Sequence, residues 1–398
     1  MRLSARVKGI SPSPTLSIDA KTKQMISEGL NVINFSVGEP DFDTPDHIKE
    51  GAIEAIRKGF TKYTPAVGTL DLRQAICKKL KEDNGLDYAP NQIVVSNGGK
   101  HSLYNVYQAI CEPGDEVILQ APYWVSYPEI IKLAGGVPVV IETDDASGFK
   151  VTPAQIRARL TPRTRIINLN SPSNPTGAVY TRKELEAIAE TAVERDLYIV
   201  SDEIYERLLY DGAEHVSIAS FGPEVKKRTI TVNGMSKAYS MTGWRIGYTA
   251  SETEIASAMS ALQGHCTSNP SSISQKASVA ALTGSQEPVA RMAAEFNKRR
   301  DFIVDRLNSI PGFKVRKPEG AFYVFPNVSG FFGKTIEGKV IDSSDALCAV
   351  LLEKARVAVV PGTGFGAPEY VRFSYATSME KIADGLSRIE EVARKAFA

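Results

Sequence analysis

The sequence predicts an α/β fold, a three-layer sandwich around a mostly parallel central sheet, with a smaller α+β domain attached. Three observations carry that expectation. The chain has 398 residues, too many for one compact core. From about residue 90, short runs rich in Val and Ile alternate with amphipathic helical stretches, the pattern of parallel strands joined by crossover helices. After Pro311-Gly312 that alternation gives way to short strands mixed with helices.

Taken in order, the stretch from Ser11 to Pro14 reads as an arm rather than core. Segments 93–96, 116–119, 137–141, 165–169, 197–201, 228–232 and 245–249 read as buried strands, being short and apolar and often ending in Asn, Ser or Asp. Segment 182–195 repeats its apolar positions at helical spacing, and 252–263, 271–282 and 287–308 read as helices, the first two separated near Pro270. Beyond them, 313–316, 321–325, 357–360 and 371–374 read as strands, and 344–354 and 379–397 as helices. The expected partition is 1–45 as an arm with part of the small domain, 46–295 as a large ligand-binding domain, and 296–398 as the small C-terminal domain. Neither an internal repeat nor a low-complexity segment is visible.

Composition removes several classes of function. A hydrophobic content of 43%, a charged content of 23% and a net charge of +1 suit a globular enzyme and give no electrostatic reason for a nucleic-acid or membrane partner. The longest apolar runs, such as 346–352, are too short to span a bilayer. The first residues are polar and develop no apolar run, so no signal peptide is expected. Cys77, Cys111, Cys266 and Cys348 are scattered, and His is sparse. The expectation is a cytoplasmic protein without a metal site or a disulfide framework.

In parallel sheets, ligands bind beyond the carboxyl ends of the strands. Segment 93–96 is followed by Asn97-Gly98-Gly99-Lys100 and a helix; this is either a tight connection or an anion-binding turn at a helix N-terminus. Segment 165–169 runs into Asn170 through Gly177, either a plain turn or a rigid loop presenting Asn174. Segment 197–201 runs into Asp202-Glu203-Ile204-Tyr205. Asp202 is open to two readings, a helix N-cap or an anionic partner for a ligand cation. Segment 228–232 runs into Asn233-Gly234-Met235-Ser236-Lys237. A lysine that follows a buried strand and a Gly is placed to become an amine nucleophile. Arg245 stands eight residues further on, where its guanidinium suits either an ion pair or a phosphate. Together, an Asn, an Asp, a Tyr, a Lys and an Arg at strand ends, with a Gly-rich anion turn, form the set that pyridoxal phosphate requires.

At this point the chain resembles the fold-type I aminotransferases, and within them the prokaryotic-type aspartate aminotransferases. The resemblance runs from Gly38-Glu39-Pro40-Asp41-Phe42-Asp43-Thr44-Pro45, through Pro122-Tyr123-Trp124-Val125-Ser126-Tyr127-Pro128, to Phe373-Ser374-Tyr375-Ala376-Thr377-Ser378. Its most specific pieces are Asn174-Pro175-Thr176-Gly177, Ser201-Asp202-Glu203-Ile204-Tyr205-Glu206, Ser236-Lys237-Ala238 and Thr242-Gly243-Trp244-Arg245-Ile246-Gly247-Tyr248.

The resemblance implies the pyridoxal-phosphate transferase fold, pyridoxal 5'-phosphate as cofactor, and transfer of the amino group of aspartate to 2-oxoglutarate. It implies that Lys237 bonds the cofactor and then shuttles a proton, and that Asp202 pairs with the pyridine nitrogen. Asn174 and Tyr205 would hydrogen-bond the phenolic oxygen, and Trp124 would stack on the ring. Gly98, Gly99, Lys100, Ser236 and Arg245 would hold the phosphate. Tyr63 would reach that phosphate from a second subunit, which implies a homodimer with shared sites. Arg372 would clamp the substrate α-carboxylate beside the Gly38 backbone. The chain departs from relatives at Ser11, where several have Lys, and at Asp144-Asp145, near which relatives acting on dicarboxylates often carry Arg or Lys. The partner of the side-chain carboxylate is therefore left open among Lys100, His101, Gln108, Thr15 and Asn269.

The same scaffold serves prephenate, aromatic or alanine aminotransferases and β-lyases, so fold does not choose among them. A cofactor-sensing regulatory module would carry a DNA-binding domain ahead of a similarity that here begins within the first few dozen residues. A nucleotide-dependent dehydrogenase would show Gly-x-Gly-x-x-Gly after its first strand, and none is present.

Overall fold

The central sheet owes its composition to burial on both faces. The structure, a computed structural model, describes residues 2–397. Among them, seven strands form this sheet: β1 (Ile93–Ser96), β2 (Glu116–Ala121), β3 (Val137–Glu142), β4 (Thr164–Asn170), β5 (Tyr198–Asp202), β6 (Thr229–Gly234) and β7 (Gly247–Ala250). Their order is β1-β7-β6-β5-β4-β2-β3. Only β7 runs against its neighbours, so the sheet is mostly parallel, as expected. Along β2, Val117 and Leu119 pack with Leu103 and Met259 on one face, while Ile118 packs with Ile167 and Ile188 on the other. Alternate side chains thus reach separate cores, which is why such strands read as continuous apolar runs.

A second core joins the two ends of the chain. Ile33 and Phe35 pack with Ile303, Leu307, Phe322, Phe373 and Leu386. Strand Ile33–Asn34 pairs in parallel with Val357–Ala358, and Val371–Ser374 lies between Val360–Pro361 and Tyr323–Val324 in an antiparallel sheet.

Several expected elements are redrawn. Segment 357–360 divides at Val359, and its halves join different sheets. Segment 313–316 forms no strand; Lys314 makes an isolated bridge to Asn327. Strand β6 begins at Thr229 because Arg228 closes the helix Pro223–Arg228. Strand β7 begins at Gly247 because Arg245 is held in the left-handed region, at φ 57. The Pro-rich arm turns into a helix, Pro14–Ser27. Ser13 caps it by accepting the Leu16 amide, and Pro14 takes the first turn, where its missing N–H costs nothing.

Candidate active site

The turn after β1 and the carboxyl ends of β4, β5 and β6 open on one cavity of about 440 Å³. Residues Val37 to Glu39 and the second core's Tyr323 and Arg372 close its far side, and Ser13, Thr15 and Leu16 line its mouth.

The turn after β1 brings glycine backbone and a guanidinium together, an arrangement suited to an anion. Gly98 has φ +88, and a Cβ there would lie 2.3 Å from Arg245 Nη2. A Cβ on Gly247 would lie 2.3 Å from the Gly99 amide nitrogen. Both glycines are therefore required for the backbone and the guanidinium to approach one another. Helix Gly99–Ile110 starts here, so its unpaired N–H groups face the cavity. Arg245 Nη1 donates to the Thr242 carbonyl at 2.8 Å, and Ser236 is buried at the cavity wall.

Lys237 and Asp202 face the same space from adjacent strand ends. Lys237 Nζ donates to the Gly38 carbonyl at 2.5 Å. Burial pushes its ammonium down to about 8, with Arg372 and Arg245 acting in the same direction and Glu39 opposing them. Asp202 is 6% exposed, and burial pushes its carboxyl up to about 6. Tyr127 donates to Asp202 Oδ2 at 2.7 Å, and the Ile204 amide donates to Oδ1 at 3.2 Å. No helix follows Asp202, so the N-cap reading fails, and no salt bridge to it exists among the described residues. A buried carboxylate lacking a cation of its own is poised to receive one from a ligand.

Arg372 is 2% exposed. It donates to Asn174 Oδ1 at 3.0 Å and to the Ser36 carbonyl at 2.6 Å, and its Nε is buried without a partner. Its guanidinium stacks 4.6 Å from the Tyr323 ring centroid, which fixes the plane of the fork. Tyr205 and Tyr323 share a hydroxyl hydrogen bond of 2.8 Å, and burial keeps the Tyr205 phenol well above its ordinary value. Asn170 braces the loop by accepting the Asn174 amide at 2.8 Å and donating to the Asp202 carbonyl at 3.0 Å.

The family described as aminotransferase class I and II matches residues 31–389. The chain belongs to the class I and II aminotransferases. It is 52% identical to the aspartate aminotransferase of Bacillus sp. (strain YM-2), over 98% of each chain. It is 48% identical to the aspartate/prephenate aminotransferase of Nitrosomonas europaea, over 98% of this chain and 99% of the other. Among solved structures, the aspartate aminotransferase from Rhizobium meliloti superposes with a TM-score of 0.96 at 44% identity, covering 99% of both chains. That of Thermus thermophilus with maleate superposes with a TM-score of 0.93 at 44% identity, covering 98% of this chain and all of the other (100%).

The aminotransferase family expected from the motifs is thus the family found, and so is its fold. Of the residues singled out in the sequence, Gly38, Gly99, Lys100, Trp124, Asn174, Asp202, Tyr205, Ser236, Lys237, Arg245 and Arg372 line the cavity, and Gly98 backs it through Arg245. Tyr63 does not line it and is 91% exposed. Of the residues left open for a second carboxylate, Lys100 and Thr15 line the cavity, whereas His101, Gln108 and Asn269 do not. Lys100 Nζ leaves the anion turn and lies 5.0 Å over the Trp124 ring. Tyr127, Tyr323 and Asn170 were not singled out. Tyr127 lies within a quoted motif, and Tyr323 within an expected strand. The donor set fits pyridoxal phosphate: a glycine cradle that any Cβ would fill, a buried acid awaiting a cation, and a depressed lysine.

Proposed function

We propose that this aminotransferase uses pyridoxal 5'-phosphate to move the amino group of L-aspartate to 2-oxoglutarate, giving oxaloacetate and L-glutamate. The observation that carries the reading is the joint presence, in one cavity, of Lys237 with its depressed ammonium, the buried Asp202 and the half-satisfied Arg372.

Pyridoxal phosphate, when bound, supplies the electron sink that makes the substrate Cα–H acidic. Gly98, Gly99, Ser236 and Arg245 would hold its phosphate, Trp124 its ring face, and Asn174 and Tyr205 its phenolic oxygen. Asp202 would keep a proton on the ring nitrogen. Arg372, beside the Gly38 backbone, binds the α-carboxylate through its fork, and its unpartnered Nε supports that role. Lys237 Nζ takes the proton from Cα and returns it; an amine titrating near 8 is matched to that task at neutral pH.

For the second carboxylate the reading takes Lys100. Five cations line the cavity: Lys23, Lys100, Lys237, Arg245 and Arg372. Lys23 is committed to Asp19 at 2.8 Å, and three others have the roles given above. Lys100 makes no salt bridge among the described residues and points over Trp124. The Thermus thermophilus structure was solved with maleate, a dicarboxylate, which agrees with a dicarboxylic substrate. Prephenate as a further acceptor is the second reading, favoured by the name of the Nitrosomonas europaea relative.

We further propose a cytoplasmic homodimer in which the partner subunit's Tyr63 completes the phosphate site. Support comes from the exposure of Tyr63, and no helix among the described residues is long and apolar enough to cross a membrane. Residues 46–295 are proposed as the cofactor-binding domain and 296–398, with 1–45, as the smaller one, in keeping with the core that Ile33 and Phe35 share with Phe373. Lys237→Ala is expected to remove turnover in an aspartate/2-oxoglutarate assay. Full activity in that variant would sink the reading.

A further inference from the structure

Tyr63 lies in a loop without regular structure, between the helices Asp46–Arg57 and Leu70–Asn84. A ligand supplied to a second subunit from such a loop must be held in place by something, because an unrestrained loop would lose entropy on each encounter. Two glutamines, both 0% exposed, grip this loop from behind. Gln275, on the helix Ser272–Thr283, accepts the Thr69 amide at 2.7 Å. Its Nε2 donates to Thr64 Oγ1 at 3.0 Å and to the Pro270 carbonyl at 2.9 Å. Gln263, on the helix Thr253–Cys266, donates through one nitrogen to the Ala66 carbonyl at 2.5 Å and to the Val95 carbonyl of β1 at 2.7 Å. Its Oε1 accepts from Asn105 at 2.8 Å.

Four of these six hydrogen bonds are directed at the loop or at the strand that leads into the Gly98-Gly99 turn, and the other two tie the amides to Pro270 and Asn105. A buried amide is tolerated only when it is satisfied in this way, and a fully satisfied network rigidifies what it joins. Thr64, beside Tyr63, and Ala66, three residues on, are both held, while the tyrosine itself projects into solvent. Gln263 further couples the loop to β1, so the loop and the strand that leads into the anion turn share one nitrogen.

We propose that Gln263 and Gln275 are positioning residues that preorganise Tyr63 for the phosphate site of the other subunit. This rests on the reading of Tyr63 given above. The clamp sits in one chain and acts on the site of its neighbour.

The test uses that asymmetry. Gln275→Leu is expected to weaken pyridoxal phosphate binding by the dimer about tenfold, the effect of one misplaced charge-assisted hydrogen bond. Binding is read as a dissociation constant by equilibrium titration, alongside the melting temperature of the cofactor-free chain. Thr64→Val removes one of the same hydrogen bonds from the exposed side, and is expected to weaken binding in the same direction should Gln275→Leu not fold. Differently tagged copies are then co-expressed to give a hybrid of one Gln275→Leu and one Lys237→Ala chain. In the hybrid, the site that retains Lys237 faces a Tyr63 whose clamp is intact. Read through the absorbance of lysine-bonded cofactor, its affinity should return to that of the wild type. Persistent weakness in the hybrid would mean damage within the variant's own site and would overturn the proposal, as would wild-type affinity in both single variants. Tyr63→Phe runs as the control. If it binds as the wild type does, the reading of Tyr63 fails and takes the clamp with it; if it binds weakly while Gln275→Leu and Thr64→Val bind normally, only the clamp fails.

Discussion

Lys237 and Asp202 are displaced from their ordinary ionisation in opposite senses by the same cause, removal from water. Two expectations follow at this scale. Reductive labelling of the cofactor-free chain with a small aldehyde, read by peptide mass spectrometry, should modify Lys237 half-maximally near pH 8, because the neutral amine is the nucleophile and its fraction grows as pH rises. Labelling that tracks the exposed lysines would contradict this. Asp202 ionises near 3.8 when unfolded and near 6 when folded. The stability it contributes while protonated is therefore lost as pH rises through about 6, roughly 3 kcal/mol for the cofactor-free chain. Asp202→Asn should then melt no lower than the wild type at pH 7 in calorimetry without cofactor, yet bind the cofactor far more weakly. A sharp fall in melting temperature would count against the role given to Asp202. Lys237 and Asp202 were legible because each follows a Val- and Ile-rich run, where a buried charge is costly unless it finds a partner. Tyr127 and Tyr323 were not, because an aromatic in an apolar run reads as core, and only the fold shows where the hydroxyl points.

At the scale of elements, the anion turn depends on backbone geometry. Gly98→Ala would place a Cβ against Arg245 at φ 88 and ψ 160, a region essentially reserved for Gly, which alone costs about 1–3 kcal/mol. The expected outcome is cofactor affinity lowered at least tenfold in a titration, with Arg245 displaced. Behind β5, Glu206 is buried against Lys79, with Asn84 and Asn233 also donating to it. Desolvation favours its protonated form, but Lys79 and His215 outweigh that and hold the carboxyl down to about 2. That stability is present above the ordinary glutamate value and is lost as pH falls towards 2. Glu206→Gln leaves Lys79 only the more distant Asp83, 3.9 Å away, and chemical denaturation at pH 7 should show a loss of about 3 kcal/mol. The strands were legible from their apolar runs, but their ends were not. Whether Arg228 closes a helix or opens a strand depends on capping and pairing, and the division at Val359 depends on which neighbour each half finds.

The whole molecule places chemistry where two independently built surfaces meet. The parallel sheet supplies Asp202, Lys237 and the anion turn at its carboxyl edge, and the second core supplies Arg372 and Tyr323. That convergence was invisible in the sequence, since Arg372 sits in a short strand 198 residues from Asn174. It became an expectation only through the family resemblance. The exposed Leu3, Val7, Leu16 and Tyr63 fit burial in a dimer, so sedimentation equilibrium should return twice the 43.2 kDa mass of the chain. The proposed activity is aspartate transamination with Lys100 reading the second carboxylate. It is tested most directly by kcat/KM for aspartate against alanine with 2-oxoglutarate, in the wild type and in Lys100→Met. The expected result is a wild-type preference for aspartate of about 100-fold, the worth of one charge-assisted contact, that collapses in the variant. Equal kcat/KM for alanine and aspartate in the wild type would contradict it.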